Sequence, residues 1–102
     1  MRKTTQSTNG TSFHSNEFLA CVEDIIAILG EPLWEDNTGE DKTNFQWEAE
    51  TESGKVFTIY DWKEYRPISR TEEISWHIGG HSAMDTSEAL QEIEKAIGSL
   101  VK

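Results

Sequence analysis

Val56-Phe57-Thr58-Ile59-Tyr60-Asp61-Trp62-Lys63 is the longest β-branched and aromatic run in the chain. It is apolar at both parities and ends abruptly in the charged segment Lys63-Glu64-Tyr65-Arg66. A strand of this kind belongs in the middle of a sheet, with material covering each face.

Upstream, Phe45-Gln46-Trp47-Glu48-Ala49-Glu50 alternates strictly, the mark of a half-buried strand. The turn between the two runs decides which residues share a face. A Ser53-Gly54 two-residue turn would set Phe45 and Trp47 beside Tyr60 and Trp62. A three-residue loop, Glu52-Ser53-Gly54 with Gly54 left-handed, sets them beside Phe57 and Ile59 instead. The second register is chemically coherent. It gives one apolar face (Phe45, Trp47, Ala49, Phe57, Ile59) and one amphipathic face (Gln46, Glu48, Thr58, Tyr60, Trp62).

Downstream, Glu73-Ile74-Ser75-Trp76-His77-Ile78 alternates again. Ile74, Trp76 and Ile78 join the core face, Ser75 and His77 join the amphipathic one, and Gly79-Gly80 ends the strand. Asp85 or Thr86 caps a final helix whose buried stripe is Leu90, Ile93, Ile97 and Leu100, with Ala89 and Ala96. Phe18, Val22, Ile25 and Leu29 recur at helical spacing, which predicts a first helix over Asn16–Leu29, capped by Ser15 and stopped at Gly30-Glu31-Pro32. Cys21 falls near its apolar stripe as a small core residue. Leu33 and Trp34 either form a short strand or pack under the sheet, and Glu35 to Thr43 reads as a solvated loop.

These elements predict an α+β fold: an antiparallel sheet of three to four strands, flanked by an N-terminal and a C-terminal helix packed on one face. Residues 14–102 form a single domain, and Met1 to Phe13, poor in anything to bury, form a mobile tail.

The chain has 102 residues and a net charge of −10, from 19 acidic and 9 basic side chains. A surface this acidic repels DNA, RNA and anionic lipid at long range, which argues against direct nucleic-acid and membrane partners. Alternatively, an acidic surface imitates a nucleic acid and blocks a protein that binds one. No apolar run approaches the ~20 residues that span a bilayer. The N-terminus lacks the apolar stretch of a secretory signal. With one cysteine, no intramolecular disulfide forms, and the reading is a cytoplasmic protein.

With both helices on the Trp47 face, the opposite face carries Thr58, Tyr60, Trp62, Ser75 and His77 without cover. Such a cluster points to a ligand, a partner, or a homodimer in which two sheets pack face to face, unless the N-terminal tail or the Lys63–Thr71 loop folds over it. Lys63, Arg66 and Arg70 fall within eight positions beside Tyr65. A positive rim there would suit a phosphate-bearing ligand whose bases stack on aromatic rings. Gly79-Gly80, followed by His81 and Ser82, would let backbone N–H groups cradle an anion. The ligand-binding residues expected are Tyr60, Trp62, Lys63, Arg66, His77, Gly79, Gly80 and His81. His77 and His81 lack the spacing or companions of a zinc site, and no cofactor, metal or catalytic constellation is read. The chain reads as a binder, not an enzyme.

The pattern Gly54-Lys55-Val56-Phe57-Thr58-Ile59-Tyr60-Asp61-Trp62-Lys63, followed by Trp76-His77-Ile78-Gly79-Gly80, resembles small phage-encoded acidic proteins of unassigned function. The helix end Ile28-Leu29-Gly30-Glu31-Pro32 fits the same resemblance, which covers most of the chain from Phe18 onward. It transfers no catalytic residue. It implies a context: non-enzymatic inhibitors of host defence acting in the host cytoplasm, some by binding a host protein, others by sequestering a nucleotide-like signalling molecule.

Overall fold

The Val56 run forms the middle of the sheet, as its two-sided apolar pattern requires. The structure is a computed structural model and describes residues 1–100. In chain order the elements are β1 (Arg2–Lys3), β2 (Ser12–Ala20), α1 (Val22–Leu29), β3 (Trp34–Glu35), β4 (Phe45–Glu50), β5 (Val56–Tyr60), β6 (Ile74–Gly80) and α2 (Ala83–Gly98). The fold is α+β, with every strand pair antiparallel.

The sheet has six strands, more than the three to four expected, in the order β1-β4-β5-β6-β2, with β3 also pairing β4. The β4–β5 register is the one selected by a left-handed Gly54 (φ 89°): Trp47 pairs Ile59, and Ala49 pairs Phe57. Phe45, Trp47, Ala49, Phe57, Ile59, Trp76 and Ile78 are buried with Val22, Ile25 and Leu29 of α1 and Ala89 and Ile93 of α2. Both helices therefore cover one face, and Leu90 and Ile97 pack at the margin of the core. Each buried indole has a carbonyl partner, Trp47 Nε1 donating to Gly30 O (2.8 Å) and Trp76 Nε1 to Ala20 O (2.8 Å).

The N-terminal third departs from the sequence expectation. Residues 16–20, expected to open the first helix, are strand: Phe18 and Ala20 face the core while Glu17 and Leu19 face outward. Phe18 satisfies helical spacing to Val22 and strand alternation to Ala20 equally well, and pairing with β6 decides for the strand. Ser15 has φ 71° at a register shift in β2, so it kinks the strand and caps nothing. Cys21 sits half-exposed at the N-cap of α1, not in the helix.

Met1–Phe13 is likewise no free tail. β1 lies at one edge of the sheet and β2 at the other, so residues 4–11 must cross between them. They cross the face opposite the helices as a strap, where Thr8–Ser12 lie over Thr58, Tyr60 and Gly79. Gly79 and Gly80 are the last two residues of β6, paired on both sides, not a turn that follows the strand. They pair Thr58 and Phe57 on one side and Phe13 and Ser12 on the other. A Cβ would stand 2.5 Å from Thr58 Oγ1 at Gly79 and 2.7 Å from Thr86 Cγ2 at Gly80, so the glycines admit close neighbours on both faces. Ser82, earlier than Asp85 or Thr86, caps α2 by accepting from Asp85 N (3.1 Å).

The Glu35–Thr43 segment is pinned, not merely solvated. Asp61, fully buried, accepts from Asn44 N (2.7 Å), Phe45 N (2.9 Å) and Asn44 Nδ2 (3.0 Å). Asn37 pairs the backbone of Ile68 through both amide atoms (2.7 and 2.8 Å). A Cβ on Gly39 (φ 80°) would meet the Arg66 backbone at 2.5 Å. Asp61→Ala strands these donors and is expected to lower unfolding free energy in denaturant titration by about 3 kcal/mol, at ~1–3 kcal/mol per unsatisfied buried donor. Gly39→Ala is expected to destabilise as well, by forcing the two loops apart.

Candidate functional site

Strand register arranges the outer face in rows. Trp34 pairs Gln46, Gln46 pairs Tyr60, Tyr60 pairs His77, and His77 pairs Glu17, so five side chains stand side by side across the sheet. The next row, Glu48-Thr58-Gly79-Phe13, lies toward the strap. Trp62, two residues beyond Tyr60 and just past the end of β5, stands beside this row and makes an aromatic corner with Tyr60 and His77.

Within this corner the Phe13 ring stacks on His77 with centroids 4.0 Å apart and planes at 16°. Trp62 faces the same imidazole nearly parallel, at 6.2 Å and 25°. Tyr60 meets both edge-on, 5.5 Å from His77 and 6.0 Å from Trp62. Burial pushes the Tyr60 phenol above its ordinary pKa, so it is a neutral hydrogen-bonding group at physiological pH. His77 Nε2 lies 3.2 Å from Glu17 Oε1, and Ser75 Oγ donates to the same oxygen (3.1 Å). Glu17 thus fixes the imidazole plane. The serine hydroxyl bonds the carboxylate instead of the imidazole, which does not make an activated nucleophile.

Two ammonium groups lie over Trp62: Lys63 Nζ at 5.5 Å from the ring centroid and Lys42 Nζ at 5.8 Å. The backbone couples them, since Lys63 N donates to Lys42 O (2.7 Å). Lys63 and Tyr65 have φ of 55° and 51°, left-handed values that cost non-glycine residues about 1 kcal/mol or more. That strain is held by the Asp61 and Asn37 hydrogen bonds beneath it. Between this corner and the strap runs an open groove of about 420 Å³, floored by Gln46, Thr58, Tyr60 and Gly79.

Of the residues expected from the sequence, the structure brings Tyr60, Trp62, Lys63 and His77 together, with Gly79 in the groove floor. Arg66 is committed elsewhere, to Glu72 through both terminal nitrogens (2.9 and 2.6 Å) and to Glu64 (3.7 Å). Gly80 faces α2 inside the ladder, so the glycine pair is no open anion cradle. His81 stands beside Gly10 of the strap, away from the aromatic corner. Phe13, Glu17 and Lys42 were missed. Reading Phe13, Glu17 and Leu19 as outward strand positions would have found the first two; nothing local distinguishes Lys42 within its acidic loop. No family model, curated protein or solved structure matches this chain, and no described helix is long and apolar enough to cross a membrane.

The strap is anchored by carboxylates. Thr8 Oγ1 donates to Glu48, Arg2 pairs Glu50 (2.7 Å), and Gln6 reaches Glu50 (3.5 Å). The Thr4 hydroxyl, then Gln6 and Arg2, hold the Glu50 carboxyl below its ordinary pKa against the opposing effect of burial. A carboxyl held low in the folded state contributes stability that is complete above the unfolded Glu value of about 4.3 and is lost as pH falls through the folded value. The protection factors of residues 4–11 in amide exchange are therefore expected to fall below about pH 4, and Glu50→Gln to flatten that acid response.

Proposed function

We propose that this chain is a non-catalytic binding protein that sequesters a nucleotide-like signalling molecule on the outer face of its sheet. The observation that carries the reading is the Trp62 corner: an exposed indole, 40% accessible, with two ammoniums over it and a fixed imidazole nearly parallel to it. A base stacks on the indole or enters between it and His77, and the displaced ammonium turns to the phosphate. Tyr60 and Gln46 supply hydrogen-bonding groups beside the ring. The resemblance to small phage-encoded proteins supports a role in withholding such a messenger from a host defence enzyme.

The alternative, an acidic surface that imitates a nucleic acid and blocks a protein that binds one, rests on the net charge of −10; two carboxylates of the outer face, Glu48 and Glu50, are engaged by the strap and β1. Native mass spectrometry with cyclic dinucleotides, cyclic trinucleotides and ADP-ribose derivatives tests the proposal. A stoichiometric adduct recovered chemically intact is expected. Trp62→Ala should weaken it roughly 5- to 150-fold, the equivalent of ~1–3 kcal/mol for one stacked base. Lys63→Ala should weaken it while leaving binding of an uncharged nucleoside unchanged. No adduct with any of these compounds would overturn the proposal.

A further inference from the structure

Trp34 is the aromatic residue on this face that the corner does not use. It pairs Gln46 across the ladder, so its side chain stands on the outer face in the same row as Tyr60 and His77. It is 40% exposed, as Trp62 is, and lies in the two-residue strand β3. Among the described residues no other aromatic ring packs against it.

We infer that Trp34 is a second stacking platform, and that the ligand is a dinucleotide whose two bases are splayed apart, one at the Trp62 corner and one on Trp34. The inference rests on the nucleotide-binding reading above and specifies its ligand class. The spacing carries it. Two inter-strand steps, about 10 Å, separate Trp34 from Tyr60, and Trp62 stands two residues further along its strand, so the platforms are roughly 12 Å apart backbone to backbone. That is too far for two bases stacked on each other at ~3.4 Å, the rise per strand residue of a duplex, and suits two bases unstacked from each other onto separate rings. Gln46, between the platforms in the same row, offers its amide to the linkage or to a base edge.

Charge sets the upper limit on ligand length. Lys42 and Lys63 offset the few charges of a dinucleotide, but Glu17 closes the row at one end and Glu48 stands in the row beside it. A longer strand would run its phosphates onto carboxylates on a chain of net charge −10.

The test is isothermal titration of the intact protein with 5′-AMP, linear diadenylate and cyclic diadenylate, adenine being chosen for its large stacking surface. Wild-type protein is expected to bind a diadenylate at least tenfold tighter than AMP. Trp34→Ala should bring diadenylate down to the AMP value while leaving AMP unchanged, and Trp34→Phe should restore most of the difference. Trp62→Ala should weaken both. If AMP and the diadenylates bind wild type equally, or Trp34→Ala weakens AMP as much as diadenylate, the second platform is overturned and the single-base site stands. If neither AMP nor any diadenylate binds, both the inference and the reading beneath it fall.

Discussion

The outer corner depends on one buried carboxylate. Among the described residues Asp61 forms no ion pair; its carboxylate accepts from three N–H groups of Asn44 and Phe45. A charge taken out of water is tolerable only with such saturation, and charge-assisted bonds to backbone N–H groups are among the stronger ones a protein makes. The consequence is geometric. Asp61 directly precedes Trp62 and Lys63, and Asn44 follows Lys42 by two residues, so the bonds that satisfy the carboxylate also fix where the indole and both ammoniums stand. Asn44 extends the clamp to Arg66 O (3.1 Å) and accepts from Gly39 N (3.0 Å), so a polar knot does the work an apolar cluster cannot do at a wet sheet end. The left-handed Lys63 and Tyr65 persist because this knot over-determines their backbone.

The two sheet faces solve opposite problems. Toward the helices, Phe45, Trp47 and Trp76 pack edge-on or offset at 5.6–6.2 Å and bury their area completely. Away from them no third helix is found among the described residues. A strap of threonine, serine, asparagine and glycine covers one row and leaves the aromatic row open. A strap of larger apolar residues would have sealed that row as well, so the composition of residues 4–11 is what keeps the groove wettable.

What was legible in the sequence follows from where the physics is local. The β4–β5 register followed from one left-handed glycine, and the faces of β5 and β6 from strict alternation, which together brought Tyr60, Trp62 and His77 into one place. The strand at residues 12–20 was not legible, because Phe18 fits two periodicities and only the distant β6 chooses between them. The strap was not legible because hydroxyl-to-carboxylate bonds between residues some forty positions apart leave no trace in composition. Arg66 shows the limit of charge read along a chain: its neighbours in sequence place it at a rim, while its partner Glu72 holds it away. Gly79-Gly80 reads as a turn by residue type, yet close packing against Thr58 and Thr86 is an equally good reason for glycine.

Holding an anionic ligand, as proposed for this acidic protein, requires two length scales. At physiological ionic strength charges are screened over about 8 Å, so most of the nineteen carboxylates act on an approaching ligand only weakly and in the far field. The two ammoniums within 6 Å of the Trp62 ring act at contact, where little solvent intervenes. A compact ligand with a few charges senses mainly the second scale. A long polyanion must lie across the first as well, and each added phosphate meets more negative surface than positive. On the proposed reading, the same acidity that looks adverse to nucleotide binding would act as a filter, keeping nucleic acid from a stacking face that would otherwise accept any exposed base.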